Sequence, residues 1–221
     1  MNYLSFDVGI KNLAYCCLTP EKKIVSWGII NLNENPICCA NKRKPCTKQS
    51  SYIQTIDGEE KYYCTAHSKG EKKCKKINSN HDILGMSKIC VRKLREIDIS
   101  QCKYVLIENQ PALKNPTMKS IQMIIYTFFV MEGLLNTQCP IEMIHMVNAR
   151  NKLKVYKGPP VESPYSNDKK NKYKNNKYLS VIYTGTMIKD EDDIFITQFN
   201  ESKKKDDLAD SYLQGIYWIE K

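Results

Sequence analysis

The sequence predicts an α/β domain, a mixed sheet flanked by helices, and three observations carry that reading. The first thirty residues break into three short runs of strand-like alternation separated by tight turns. Beyond residue 80, helical apolar spacing alternates with short apolar strands. Between the two lies a polar, cysteine-bearing stretch with no sustained apolar period, which interrupts the pattern instead of extending it. The resulting order is βββ–α–β–α–β–α with a small module inserted after the third strand.

Each element has its own signal. In Asn2–Val8, Tyr3, Ser5 and Asp7 alternate with Leu4, Phe6 and Val8, a period of two. Gly9-Ile10-Lys11-Asn12 reads as a tight turn in which glycine supplies backbone freedom. Leu13–Leu18 resumes as a strand, Lys22-Lys23 turns, and Ile24–Leu32 forms the third strand. Ile83, Met86, Cys90, Val91, Leu94 and Ile97 recur at three- and four-residue steps, a helix with Asn80 or Asp82 as its cap. Lys103–Ile107 is an apolar strand that ends in Glu108. Thr117–Leu135 is a helix apolar on most sides, and Ile141–Val147 is a fifth strand. Tyr178–Ile188 fits a short helix or a strand. Lys203–Trp218 closes the chain as a helix with Leu208, Tyr212, Leu213, Ile216 and Tyr217 on one face.

Composition narrows the function classes. The longest apolar run, Met123–Met131, is too short to span a bilayer, so no membrane association is expected. With Phe6-Asp7-Val8 already reading as a charged strand, no secretory signal is expected, and the ten cysteines read as reduced intracellular thiols. Cys16, Cys17, Cys90, Cys102 and Cys139 read as ordinary core or surface thiols. The net charge of +10 is concentrated: residues 36–80 and residues 151–178 each carry +6, leaving the remainder near neutral. Two basic patches on a near-neutral body point to phosphate-backbone binding, although solvated lysine-rich loops share the pattern.

The carboxylates carry the chemistry. Asp7 ends the first strand and Glu108 the fourth, while Asp207 and Asp210 are spaced i, i+3 on one face of the last helix. A carboxylate where a core strand emerges requires a cation, a donor or a metal as partner. Four converging carboxylates would repel one another unless a dication offset them. Two Mg2+ or Mn2+ ions suit such a nest, because hard cations favour oxygen and paired ions clamp both oxygens of a phosphodiester displacement.

These segments also carry a family resemblance. Tyr3-Leu4-Ser5-Phe6-Asp7-Val8-Gly9-Ile10-Lys11-Asn12-Leu13-Ala14 resembles the opening motif of RuvC-type Holliday junction resolvases. Val105-Leu106-Ile107-Glu108-Asn109-Gln110 resembles their Glu-x-Gln motif, and Asp206-Asp207-Leu208-Ala209-Asp210-Ser211 their closing Asp-x-x-Asp. The likeness covers roughly residues 1–35 and 82–218 and is strongest toward the poxvirus-type branch and its relatives in large DNA viruses. It implies a ribonuclease H-like fold and a homodimer that cuts four-way DNA junctions by two symmetric nicks, with two Mg2+ ions per active site. Asp7, Glu108, Asp207 and Asp210 would be the catalytic, metal-binding acids, with Asp206 as the register alternative to Asp207. Lys152 or Lys154, after the fifth strand, would be the basic residue near the scissile phosphate. If the chain is viral, it would act in the cytoplasm or nucleus of an infected host cell. Two other readings compete: a ribonuclease H-like nuclease acting on RNA–DNA hybrids or flaps, and a non-catalytic zinc-bearing nucleic-acid-binding module.

The insertion, residues 36–80, departs from the compact family. Tyr63-Cys64-Thr65-Ala66-His67 gives Cys-x2-His, a spacing that lets one turn grip a tetrahedral ion. Cys39 and Cys46 are the preferred partners, making a structural, zinc-ribbon-like Cys3His site with Cys64 and His67. Cys38 is the alternative to Cys39, and Cys74 the alternative to Cys46.

Overall fold

The computed structural model describes residues 1–33, 35–40, 44–77, 83–113, 115–165 and 171–221. They form two compact units, one of residues 1–32 and 90–221, the other of residues 33–89.

The larger unit is built on a five-stranded mixed sheet. Its strands are β1 (Asn2–Asp7), β2 (Asn12–Leu18) and β3 (Ile24–Asn31), followed after the insertion by β7 (Cys102–Glu108) and β8 (Met143–Val147). The order across the sheet is β3-β2-β1-β7-β8, with β1 and β2, and β2 and β3, antiparallel, and with β7 parallel to both β1 and β8. The antiparallel start needs only tight turns, whereas the parallel half needs crossovers. Helix α3 (Pro116–Phe129), extended by π-type turns over Val130–Leu134, supplies the crossover between β7 and β8. It starts cleanly: Asn115 accepts the Met118 N–H at 3.2 Å through its side chain, and Pro116 occupies the first helical position.

Side-chain alternation on β1 decides what each face meets. Phe6 points to α3, its ring centroid 5.5 Å from that of Phe129. Ser5 points to the other face, where Gln214 of α6 (Lys205–Ile219) donates to its hydroxyl at 3.1 Å and to the Phe6 carbonyl at 3.1 Å. Gly215 makes this approach possible, since a Cβ there would lie 2.5 Å from Leu18 Cδ1 and 3.3 Å from Ser5 Cβ. On this face Leu18, Trp27, Phe199, Leu208, Leu213 and Ile216 form one apolar cluster. Trp27 stacks on Phe199 at 5.4 Å and donates its indole N–H to the Leu208 carbonyl at 3.0 Å.

Several expectations are refined. The undecided stretch Tyr178–Ile188 belongs to a helix, α4 (Lys172–Met187), and a further helix, α5 (Asp193–Glu201), precedes α6. The expected cap at Asn80 or Asp82 lies outside the described residues, and α2 is described from Ile83 to Leu94. Gly9 is required for space, not for dihedral freedom: a Cβ there would sit 2.3 Å from the Asn12 carbonyl oxygen, while its φ is not positive. Among the described residues no helix is long and apolar enough to cross a membrane.

The smaller unit has its own sheet, which the apolar pattern did not forecast. Strands β4 (Tyr52–Ile56) and β5 (Glu59–Tyr63) form a hairpin, and β6 (Lys75–Lys76) pairs antiparallel with the other edge of β4. The hairpin turn takes its left-handed residues at Asp57 and Gly58. A single helical turn, α1 (Thr65–Ser68), follows β5 directly.

Candidate active site

Because β1 and β7 are parallel, with Phe6 opposite Ile107, their C-terminal ends lie side by side and Asp7 and Glu108 emerge together. Asp7 shares the face of Ser5, the face on which α6 packs. Along α6, Asp207, Asp210 and Gln214 follow at i, i+3 and i+7 on one stripe. With Gln214 fixed on Ser5 and Phe6, that stripe carries Asp210 and then Asp207 past the end of β1. The result is an open pocket of about 520 Å³ lined by Asp7, Glu108, Asp207 and Asp210 together with Lys152.

Lys152 comes from the 3-10 helix Ala149–Val155, which follows β8. Its ammonium lies 2.6 Å from Asp210 Oδ2, 3.5 Å from Asp7 Oδ1 and 4.0 Å from Glu108 Oε1. The side chain is only 15% exposed. Burial alone would lower its pKa, but the carboxylates of Asp7, Asp210 and Glu108 overcome that and hold it above the ordinary lysine value. Lys154 is exposed and lies outside the residues that line the pocket.

The acids are held by neighbours that sequence reading did not assign roles. Gln110, two residues beyond Glu108, donates its side-chain amide to Glu108 Oε2 at 2.6 Å and to the Val8 carbonyl at 3.3 Å. Its own backbone N–H is taken by Gln122 of α3 at 2.8 Å. Asn12 donates to Asp207 Oδ2 at 3.3 Å. The signals were present as the Gln of Glu-x-Gln and the Asn that opens β2, but their targets are fixed only by the sheet. Asp206 faces another way and pairs with Lys177 of α4. Lys177 lines the pocket itself, as do Lys11, Arg150 and Lys204.

The donor set suits divalent cations. Four carboxylates meet a single buried ammonium, so the nest carries excess negative charge. Burial pushes Asp7 well above the ordinary carboxylate value, against the pull of Lys152, and Glu108 and Asp207 push it further. Burial likewise raises Asp210 to about 6 despite Lys152, and burial followed by the Asp206 charge raises Asp207. Such a nest lacks positive charge, and a hard dication with oxygen preference would supply it.

Comparison with known structures fixes the architecture. The yeast mitochondrial Holliday junction resolvase Ydc2 superposes with a TM-score of 0.52 at 15% identity, over 98% of this chain and 78% of that one. Fowlpox virus resolvase, solved in complex with substrate Holliday junction DNA, superposes with a TM-score of 0.51 at 18% identity, over 100% of this chain and 97% of that one. The fold is the one these two resolvases share, a mixed sheet flanked by helices, here with an inserted unit. By sequence, the chain is 28% identical over 250 residues to the uncharacterized protein L451 of Acanthamoeba polyphaga mimivirus, covering 95% of this chain. The chain spans about 60% of the length of that curated relative. No family profile matches it.

In the smaller unit the structure corrects one expected ligand. The residues brought together are Cys38, Cys46, Cys64 and His67, whose ligand atoms all lie within 4.8 Å of one another. Cys39 is exposed and outside the cluster. Successive residues of an extended segment face opposite ways, so only one of Cys38 and Cys39 can point inward. Cys74 also stands outside the cluster.

Proposed function

We propose that this chain is a divalent-metal-dependent endonuclease that resolves four-way DNA junctions. The observation that carries the reading is the convergence of Asp7, Glu108, Asp207 and Asp210 on one pocket in a fold shared with proteins named as Holliday junction resolvases. Those four acids would hold two Mg2+ or Mn2+ ions. When bound, the ions supply an activated water and charge stabilisation for the leaving 3′-oxygen.

The chain's own residues do the positioning. Gln110 fixes one oxygen of Glu108, and Asn12 fixes one of Asp207, so each carboxylate presents a defined lone pair to the pocket. Lys152 bridges Asp210 and Asp7, and from that seat it can pair with a non-bridging phosphate oxygen once the acids are otherwise neutralised. Lys11, Arg150, Lys177 and Lys204 give the rim a positive lining suited to backbone phosphates on either side of the cut.

Two symmetric cuts call for two copies, and a C2 dimer matches a junction's own two-fold symmetry. Met123 on α3, Met131 and Leu134 on its extension, and Leu135 just after it are exposed apolar residues that suit a self-association surface. Action on RNA–DNA hybrids remains the competing reading within the same chemistry. A non-catalytic binding module is disfavoured by a complete acid set.

The deciding experiment incubates the protein with labelled four-way junction, matched duplex and RNA–DNA hybrid, with and without Mg2+. Paired nicks in the junction, only with Mg2+, are expected. Preferential cutting of the hybrid would replace the junction assignment, and no cutting of any substrate would remove the nuclease assignment. Light scattering of the protein with junction should give a dimer mass.

A further inference from the structure

Residues 33–77 have a stability problem. Among the described residues there, the buried apolar side chains are Cys38, Tyr63 and Cys64. A sheet of two five-residue strands and one two-residue strand does not stand alone on so little apolar burial. Two of these three apolar residues are thiols, and both point to the same place.

That place has the dimensions of a metal polyhedron. His67 Nδ1 lies 3.4 Å from Cys38 Sγ and 3.4 Å from Cys64 Sγ, and Cys46 Sγ lies within the same 4.8 Å cluster. For a tetrahedral ion with Zn–S of about 2.3 Å and Zn–N of about 2.0 Å, geometry puts S···N near 3.5 Å and S···S near 3.8 Å. The four atoms are thus already spaced as the corners of such a site. They arrive from three separate stretches of chain, and each stretch is pinned. Cys38 donates its N–H to the Lys48 carbonyl at 2.9 Å, Cys46 donates to the Ala40 carbonyl at 3.1 Å, and Cys64 opens α1. Backbone N–H groups aim at the sulfurs as well, that of Lys48 at Cys46 and those of Ala66 and His67 at Cys64. Such donors orient and stabilise thiolate ligands.

We propose that Cys38, Cys46, Cys64 and His67 Nδ1 form a closed four-coordinate zinc centre, and that this centre takes the place of an apolar core in residues 33–77. Three thiolates and an imidazole form a soft-to-borderline set that suits zinc and not the hard cations of the carboxylate pocket. Four protein ligands leave no position for water, so the centre is structural. A disulfide is the rival use of these thiols. It would consume two sulfurs and leave the third thiol and the imidazole converging on nothing.

The test uses the full chain, purified without chelators. Elemental analysis should find about one zinc per chain, as for a single closed site. Cobalt exchange should give the intense visible absorption of tetrahedral cobalt(II) with thiolate charge transfer. Cys38→Ser should lose most of the metal while Cys39→Ser keeps it. If Cys38→Ser does not fold, the cobalt spectrum of the unaltered chain still decides. Iron in place of zinc, a disulfide in the unreduced chain, an octahedral cobalt spectrum, or zinc lost from Cys39→Ser but not from Cys38→Ser would each overturn the proposal. None of these readouts depends on nuclease activity, so the zinc centre and the junction-cleavage reading fail separately.

Discussion

In the larger unit the four clustered carboxylates sit at the rim of a core made of other residues: Leu4, Phe6, Leu106, Ile107, Phe129 and Leu213 are all essentially inaccessible. In the smaller unit Cys38 and Cys64 are among the few buried side chains described, so the proposed ligands and the core coincide. The first arrangement separates folding from chemistry. A carboxylate can be neutralised there without disturbing what holds the strands, because its neighbours on the strand remain packed. The second arrangement merges them, so that loss of one ligand is loss of the structure. Four predictions test this contrast.

The largest effect is expected from removing metal from the smaller unit. Structural zinc contributes on the order of 10 kcal/mol to folding in small modules. Treatment with a zinc-selective chelator should therefore make residues 33–77 sensitive to limited proteolysis, while a fragment pattern protecting residues 90–221 persists. Cleavage spread evenly through the chain would break the contrast.

Asp210→Asn comes next. Even outer-shell partners of a metal are worth about 10–100-fold in activity, so loss of a ligand should cost at least about 100-fold in cleavage. Junction binding and thermal stability should be retained, and Asp206→Asn, whose carboxylate pairs with Lys177 and is not among the residues lining the pocket, should cleave at a near-normal rate. A large drop in Asp206→Asn with a small one in Asp210→Asn would reverse the register of the closing motif.

Leu213→Ala should destabilise the larger unit by about 2–5 kcal/mol, the range for a buried leucine, read by denaturant unfolding. Ile53→Ala in β4, at a half-buried position, should cost less than about 1.5 kcal/mol by the same measurement. Equal costs would mean that the smaller unit has an apolar core after all. The smallest effect belongs to the exposed Lys22–Glu220 pair at 2.8 Å. Lys22→Ala should change stability by no more than about 1 kcal/mol, and still less at high salt.

The same contrast explains how much of the molecule was legible in its sequence. β1, β2, β3 and β7 are readable because each buries apolar residues, β8 is readable as a short apolar run although only Val147 of it is buried, and the acids stand out because each interrupts or borders an apolar run. α6 is readable from the spacing of Leu208, Tyr212 and Leu213. α4 is ambiguous because its buried residues are Ser180 and Thr184, which leave no apolar stripe. α5 goes unnoticed because it is short and buries only Phe199. The hairpin β4–β5 is silent because Glu59, Glu60 and Lys61 fill β5 with exposed charge. The cluster of cysteines was visible, but the choice between the adjacent Cys38 and Cys39 is a matter of which side of the chain faces inward. Asn12 and Gln110 hold their acids through contacts that only the assembled sheet creates.

The contact of α6 with β1 acts as a mechanical detent. A helix that slid by one residue along β1 would move each side chain by about 1.5 Å and rotate it by about 100°. Gln214 would then lose both of its acceptors, and a side chain with a Cβ would arrive where Gly215 lets Leu18 and Ser5 close in. The helix therefore has one seat, and the spacing of Asp210 and Asp207 from the end of β1 is set at a point remote from the charges themselves. α4 and the 3-10 helix that carries Lys152 pack on that fixed axis, with Val155 inside the same apolar cluster, so the lysines they bring to the pocket take their positions from the same seat. Gly215→Ala would press a methyl group against Leu18 and Ser5, and a fall in Mg2+-dependent cleavage with junction binding kept would report that both aspartates had moved without either being altered.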